Sequence, residues 1–113
     1  LVREAQTQKP DLILLLDYPD FNFRLAKKLK KLNIPIYYYI SPQIWAWRQN
    51  RVHFIKKYIN KMLVLFPFEV DFYKKFGVDV EFVGHPLLDE LRPELFDKNH
   101  ILQLRAKFGI PAQ

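Results

Sequence analysis

The stretch Asp11–Ile40, "DLILLLDYPDFNFRLAKKLKKLNIPIYYYI", decides the fold. It begins with DLILLL, a short apolar run bounded by Pro10 and Asp17, the pattern of a strand covered on both faces of a parallel sheet. FNFRLAKKLKKL follows, with Phe21, Leu25, Leu29 and Leu32 at helical spacing and Arg24, Lys27, Lys28 and Lys31 on the other faces. Asp20 stands where a helix N-cap is expected, and Asn33 where a left-handed C-terminal cap is expected. IPIYYYI is then a second strand, with Pro35 near its start, where a missing N–H is tolerated.

The same rhythm continues downstream. RQNRVHFIKKYI reads as a helix with Val52, Ile55 and Ile59 on one stripe, and KMLVLF as a third strand. PFEVDFYKKF opens a helix with proline at or near its first position, and Glu69 and Asp71 suit the positive end of its dipole. VEFVG is a fourth, short strand. KKLNIP, KKFGVD and AKFGIP share one design: basic residues, a large apolar residue, Asn or Gly, then a β-branched residue. Each reads as a helix end turning towards a strand, so a strand is expected to follow Gly109–Gln113 as well. LVREAQTQKPD likewise reads as the end of a helix entering a loop, with an N-terminal part expected before it. Strand and helix alternating through short connections give an α/β fold with a parallel sheet and right-handed crossovers. PLLDELRPELFDKN, with two prolines and mixed polarity, breaks the alternation. A boundary is expected near Leu91–Asn99, with NHILQLRAKF starting a new helix.

Composition narrows the function classes. Half of the 113 residues are hydrophobic and 16% are aromatic, enough for a core and unlike a disordered chain. Cysteine is absent, which excludes disulfides and thiolate metal sites. No apolar run approaches the ~18 residues of a membrane span. The net charge of +6 fits solvated helix faces, an anionic membrane surface or nucleic acid, and does not choose among them. The three glycines form neither GxGxxG nor a P-loop, and there is no nucleophile elbow or metal-ligand spacing. The aromatics do not follow RNA-binding sheet motifs, so no nucleic-acid partner is expected.

In open parallel sheets, ligands bind beyond the carboxyl ends of the strands. DYPDFN, SPQIWAWR, PFE and GHP all fall there. Asp17 ends an apolar strand; partial burial would raise its pKa and suit it to general-base work, and the alternative is a turn-capping carboxylate. Asp20 is read first as a cap. Trp45 and Trp47 are two apart, so in an extended chain both would face one side as a platform for a sugar ring or an acyl chain; the alternative is that they plug the sheet edge. Arg48 is placed either to bind a phosphate or to start a helix in solvent, and Ser41 and Gln43 to hydrogen-bond a sugar. His85 after Gly84 and Glu69 after FPF read first as structural groups. His53 and His100 sit in helical patterns and carry no functional signal.

Taken in order and spacing, DYPDFN, SPQIWAWR, LFPFE and FVGHPL closely resemble the lipid-A-disaccharide synthase family, from about Lys9 to Glu90. The resemblance implies an inverting glycosyltransferase of two Rossmann-like domains in the GT-B arrangement. It would join UDP-2,3-diacylglucosamine to 2,3-diacylglucosamine 1-phosphate at the cytoplasmic face of the Gram-negative inner membrane, with no cofactor and no metal. It implies that 1–90 is the C-terminal portion of the N-terminal, acceptor-side domain, that 91–113 is a connector and helix leading to a C-terminal domain, and that the segment alone is inactive. It makes Asp17 the general base and puts Asp20 and Asn22 at the acceptor pocket. Ser41, Gln43, Trp45, Trp47 and Arg48 would line the cleft, and Glu69 and His85 become substrate-binding candidates without individual roles. The competing expectation is a non-catalytic basic module docking on anionic membrane.

Overall fold

A computed structural model describes residues 1–111. Helix α1 (Val2–Gln8) leads into strand β1 (Ile13–Leu16), and α2 (Pro19–Leu29) and a 3-10 turn carry the chain to β2 (Ile36–Tyr39). A short helix α3 (Ile44–Trp47), a second 3-10 turn and α4 (Val52–Tyr58) precede β3 (Lys61–Val64). Helix α5 (Pro67–Lys75) then leads to β4 (Val80–Phe82). The four strands are parallel, in the order β1-β2-β3-β4. This is the parallel α/β sheet that the sequence pattern predicts, and the Rossmann-like arrangement that the resemblance implies.

Strand order equal to chain order has a consequence. Each right-handed crossover moves the chain one strand in the same direction, so α2, α4 and α5 all land on one face of the sheet. That face holds the core: Leu15, Ile36, Tyr38, Met62 and Val64 from the strands pack with Phe23, Ala26 and Leu29 of α2, Val52 and Ile55 of α4, and Tyr73 of α5. The opposite face carries Leu14, Tyr37 and Lys61 in one row and Leu16, Tyr39, Leu63 and Glu81 in the next. Leu14 and Leu16 are 54% and 55% exposed, so β1 is covered on one face and not on both, contrary to the reading of DLILLL.

Two details of α2 also differ from the sequence reading. Its buried residues are Asn22, Phe23, Ala26 and Leu29, while Phe21 stays exposed. The cap position is Tyr18, and Asp20 lies inside the first turn with no capping hydrogen bond. Proline at position 19 fixes the helix start one residue before Asp20, and Leu25, Leu29 and Leu32 of the expected stripe pack in or against the core. The left-handed helix ends are as expected: Asn33, Gly77 and Gly109 have φ of 55°, 67° and 64°. Beyond β4, α6 (Leu87–Glu90), a 3-10 turn and α7 (Lys98–Lys107) bury none of their described residues. The radius of gyration is 19.8 Å, against about 13 Å for a compact chain of 100 residues. Among the described residues no helix is long and apolar enough to cross a membrane.

Candidate functional site

The carboxyl ends of β1 and β2 open into a cleft of about 790 Å³, lined by Asp17, Asp20, Ser41, Gln43, Trp47 and Arg48 among the sequence candidates. Pro19, Ile40, Pro42, Ile44 and Arg51 complete its wall. Backbone strain gathers at this edge. Asp17, Tyr18 and Ile40 have φ of 46°, 42° and 65°. Tyrosine and β-branched isoleucine rarely adopt that region, and such residues cluster where function holds them.

Asp17 leaves β1 with its N–H on the Tyr39 carbonyl at 3.0 Å. Its own carbonyl accepts from Asn22 Nδ2 at 2.6 Å and from the Tyr38 hydroxyl at 2.5 Å. Asn22 Nδ2 also donates to the Leu16 carbonyl at 2.9 Å. The side chain of Asn22 is thus turned inward and braces the β1–α2 turn, instead of lining the cleft. Tyr38 is fully buried, and burial pushes its phenol up to about 12; Asp17 and Asp20 add to the rise against an opposing pull from Asn22. It is therefore a neutral donor at any ordinary pH. Asp17 itself is exposed, not partly buried as expected. Asp20 pairs with Arg51 at 3.2 Å across the cleft mouth, an exposed pair worth ~1 kcal/mol or less.

The segment after β2 is helical, not extended, and that separates the two tryptophans. At a hundred degrees per residue, side chains two apart point to nearly opposite sides of a helix. Trp47 is 77% exposed and faces the cleft. Trp45 is half-buried, edge-on to Phe68 at 4.9 Å, and plugs the gap towards α5. Trp45 thus plugs the sheet edge, and only Trp47 lies on the cleft side. The Trp45 indole N–H is buried without a hydrogen-bond partner among the described residues.

Glu69 and His85 lie behind this wall and not in the cleft. Glu69, 2% exposed, accepts the Phe66 N–H at 3.1 Å, the side-chain half of a capping box at the start of α5. Burial raises its pKa; the Phe66 N–H and, more weakly, the Ser41 hydroxyl work against the rise. Ser41 Oγ in turn sits 2.6 Å from the buried Tyr73 hydroxyl. His85 Nδ1 accepts the Leu87 N–H at 3.2 Å, and its ring lies 5.5 Å from that of Phe66. Among the described residues no three His, Cys, Asp or Glu side chains come together to hold a metal ion.

The cleft therefore offers one exposed carboxylate on a rigid turn, one ion-paired carboxylate, a free indole, a guanidinium at Arg48 and small polar groups. Such a set can orient a polar ring and take a proton from it. Comparison with known proteins agrees on one family. Residues 1–113 match the family described as lipid-A-disaccharide synthetase. The chain is 62% identical over 90 residues to lipid-A-disaccharide synthase 1 of Legionella pneumophila, covering 79% of this chain and 23% of that protein. It is 55% identical over 87 residues to lipid-A-disaccharide synthase of Koribacter versatilis, covering 77% of this chain and 23% of that protein. With the Geobacter metallireducens protein identity is 53% over 95 residues, 84% of this chain and 25% of the relative. The chain spans about a quarter of the length of the curated relatives it matches, and it belongs to the lipid-A-disaccharide synthetase family.

Proposed function

We propose that this chain is the acceptor-side part of an inverting GT-B glycosyltransferase that makes the lipid A disaccharide. The substrates are UDP-2,3-diacylglucosamine and 2,3-diacylglucosamine 1-phosphate. The carrying observation is the exposed Asp17 carboxylate, held at the mouth of a cleft beside Trp47 and Arg48. The acceptor's 6-hydroxyl gives its proton to Asp17 as its oxygen attacks the anomeric carbon. The new C–O bond forms as the bond from that carbon to UDP breaks, and UDP leaves with the bonding pair. One displacement inverts the anomeric centre. A positioned base of this kind contributes on the order of 10²–10⁴-fold in rate. Trp47 offers its face to the acceptor ring or an acyl chain, and Arg48 a guanidinium to a phosphate. Ser41 and Gln43 supply hydrogen bonds, and Asp20 shapes the mouth through its pair with Arg51. Glu69, Trp45 and His85 support that wall from behind.

The protein would work at the cytoplasmic face of the inner membrane. Arg24, Lys27, Lys28 and Lys31 flank a groove of about 590 Å³ between α1 and α2. No acidic side chain lines it, and Val2 and Leu32 give it an apolar floor. A basic surface of this kind favours anionic lipid, each cation adding about 1 kcal/mol near the bilayer. That groove also favours the second reading, a docking module without chemistry. Asp17→Asn in the full-length protein separates the two. The enzyme reading expects UDP release to fall by 10²-fold or more, with binding to phosphatidylglycerol vesicles retained. Undiminished turnover in that variant leaves only docking.

A further inference from the structure

Asp17 and Tyr18 are two successive non-glycine residues in left-handed backbone, with φ of 46° and 42°. Each is disfavoured against right-handed or extended backbone, because Cβ crowds the following carbonyl oxygen. Aspartate tolerates the region better than tyrosine, so the strain falls mainly on Tyr18. Left alone, the turn would relax and swing the Asp17 carboxylate away from the cleft. Three hydrogen bonds, two from β2 and one from α2, oppose this. The Asp17 N–H continues the ladder to Tyr39, at 3.0 Å. Its carbonyl takes the Asn22 amide at 2.6 Å and the Tyr38 hydroxyl at 2.5 Å. Tyr38 reaches this carbonyl from within the core, where it is wholly buried and packed against Phe23. A phenol so placed has little freedom to move, and a core strand needs no hydroxyl there; phenylalanine would fill the same space.

We propose that Tyr38 and Asn22 are positioning residues that hold Asp17 in its strained turn, with its carboxylate aimed into the cleft. This rests on the reading of Asp17 as the general base. Neither residue need touch substrate. Each acts through one carbonyl oxygen, and a carboxylate displaced by about 1 Å loses on the order of 10²-fold in rate.

The test uses the full-length protein and steady-state turnover of both lipid substrates. Tyr38→Phe removes one hydroxyl and keeps the ring. The expected result is a kcat lower by on the order of 10- to 100-fold, with the acceptor KM within about twofold. Asn22→Asp keeps the shape but replaces the donating amide, and should give the same split. Adding Tyr18→Asn to Tyr38→Phe should restore part of kcat, because asparagine enters left-handed backbone readily. A merely structural hydroxyl would not give that rescue. Wild-type kcat in both Tyr38→Phe and Asn22→Asp, with Asp17→Asn inactive, would overturn the positioning role and leave the base intact. Wild-type kcat in Asp17→Asn would overturn the base and this inference with it.

Discussion

Trp45 and Trp47 show how much one backbone choice decides at the scale of a residue. The helical turn at Ile44–Trp47 sends one indole to the α5 side and the other into the cleft. Trp47→Ala should therefore raise the acceptor KM of the full-length enzyme several-fold while leaving its melting temperature within about a degree, since an exposed side chain contributes little to stability. Trp45→Ala should do the opposite in part: loss of the edge-on contact with Phe68 should cost about 1–3 kcal/mol, read from a urea midpoint. Equal stability losses in the two variants would contradict the assignment. The residue types of this site were legible in the sequence because Trp, Arg and Asp are unusual at strand ends. Their directions were not, because "SPQIWAW" carries no periodicity long enough to separate a single helical turn from extended chain. Tyr38 escaped notice for another reason: a tyrosine in YYY looks like filler until the turn that it braces is seen. Asn22 was named for the acceptor pocket, and its inward hydrogen bonds to the Leu16 and Asp17 carbonyls could not be read from a helical pattern.

At the scale of the element, the start of α5 gathers several constraints. Glu69 caps the helix, and its burial raises its pKa above the ordinary value of 4.5. The sign follows from proton linkage: the folded protein holds the proton more tightly than the unfolded one, so this contribution is fully present below 4.5 and is lost as pH rises through the folded value. Glu69→Gln keeps an acceptor for the Phe66 N–H and has no such loss. Its urea midpoint relative to wild type should rise between pH 4.5 and pH 8; a constant difference would contradict the burial argument. Glu69→Ala removes the cap and should cost about 0.5–2 kcal/mol. Gly77 ends the same helix at φ 67°, where an added Cβ would lie 3.2 Å from Lys56 Nζ. Gly77→Ala should cost about 1–2 kcal/mol, nearly all of it from backbone strain, since the lysine tip can move aside. These ends were readable in KKLNIP and KKFGVD because left-handed caps demand Asn or Gly. Asp20 was misread as the cap of α2 because proline, not Asp20, fixes where that helix begins.

The whole molecule is a sheet with helices on one face and a largely apolar opposite face. Parallel sheets ordinarily have both faces covered. The row of Leu14, Leu16, Tyr37, Tyr39 and Leu63 should therefore make the 113-residue chain by itself bind a hydrophobic dye and self-associate. Leu14→Lys with Leu16→Lys should weaken both effects, and unchanged dye fluorescence would contradict this account. The parallel sheet could be predicted from strand–helix alternation; the bare face could not, because DLILLL reads the same whether one face is covered or two. The strand order brings the chemistry to a single edge, with Asp17, Trp47 and Arg48 around one cleft. A crystal structure of the full-length enzyme with 2,3-diacylglucosamine 1-phosphate tests that claim most directly. The account predicts the acceptor's 6-hydroxyl at about 2.6–3.2 Å from the Asp17 carboxylate, with the sugar or an acyl chain against Trp47. An acceptor bound away from this edge, with Asp17 facing solvent, would contradict it.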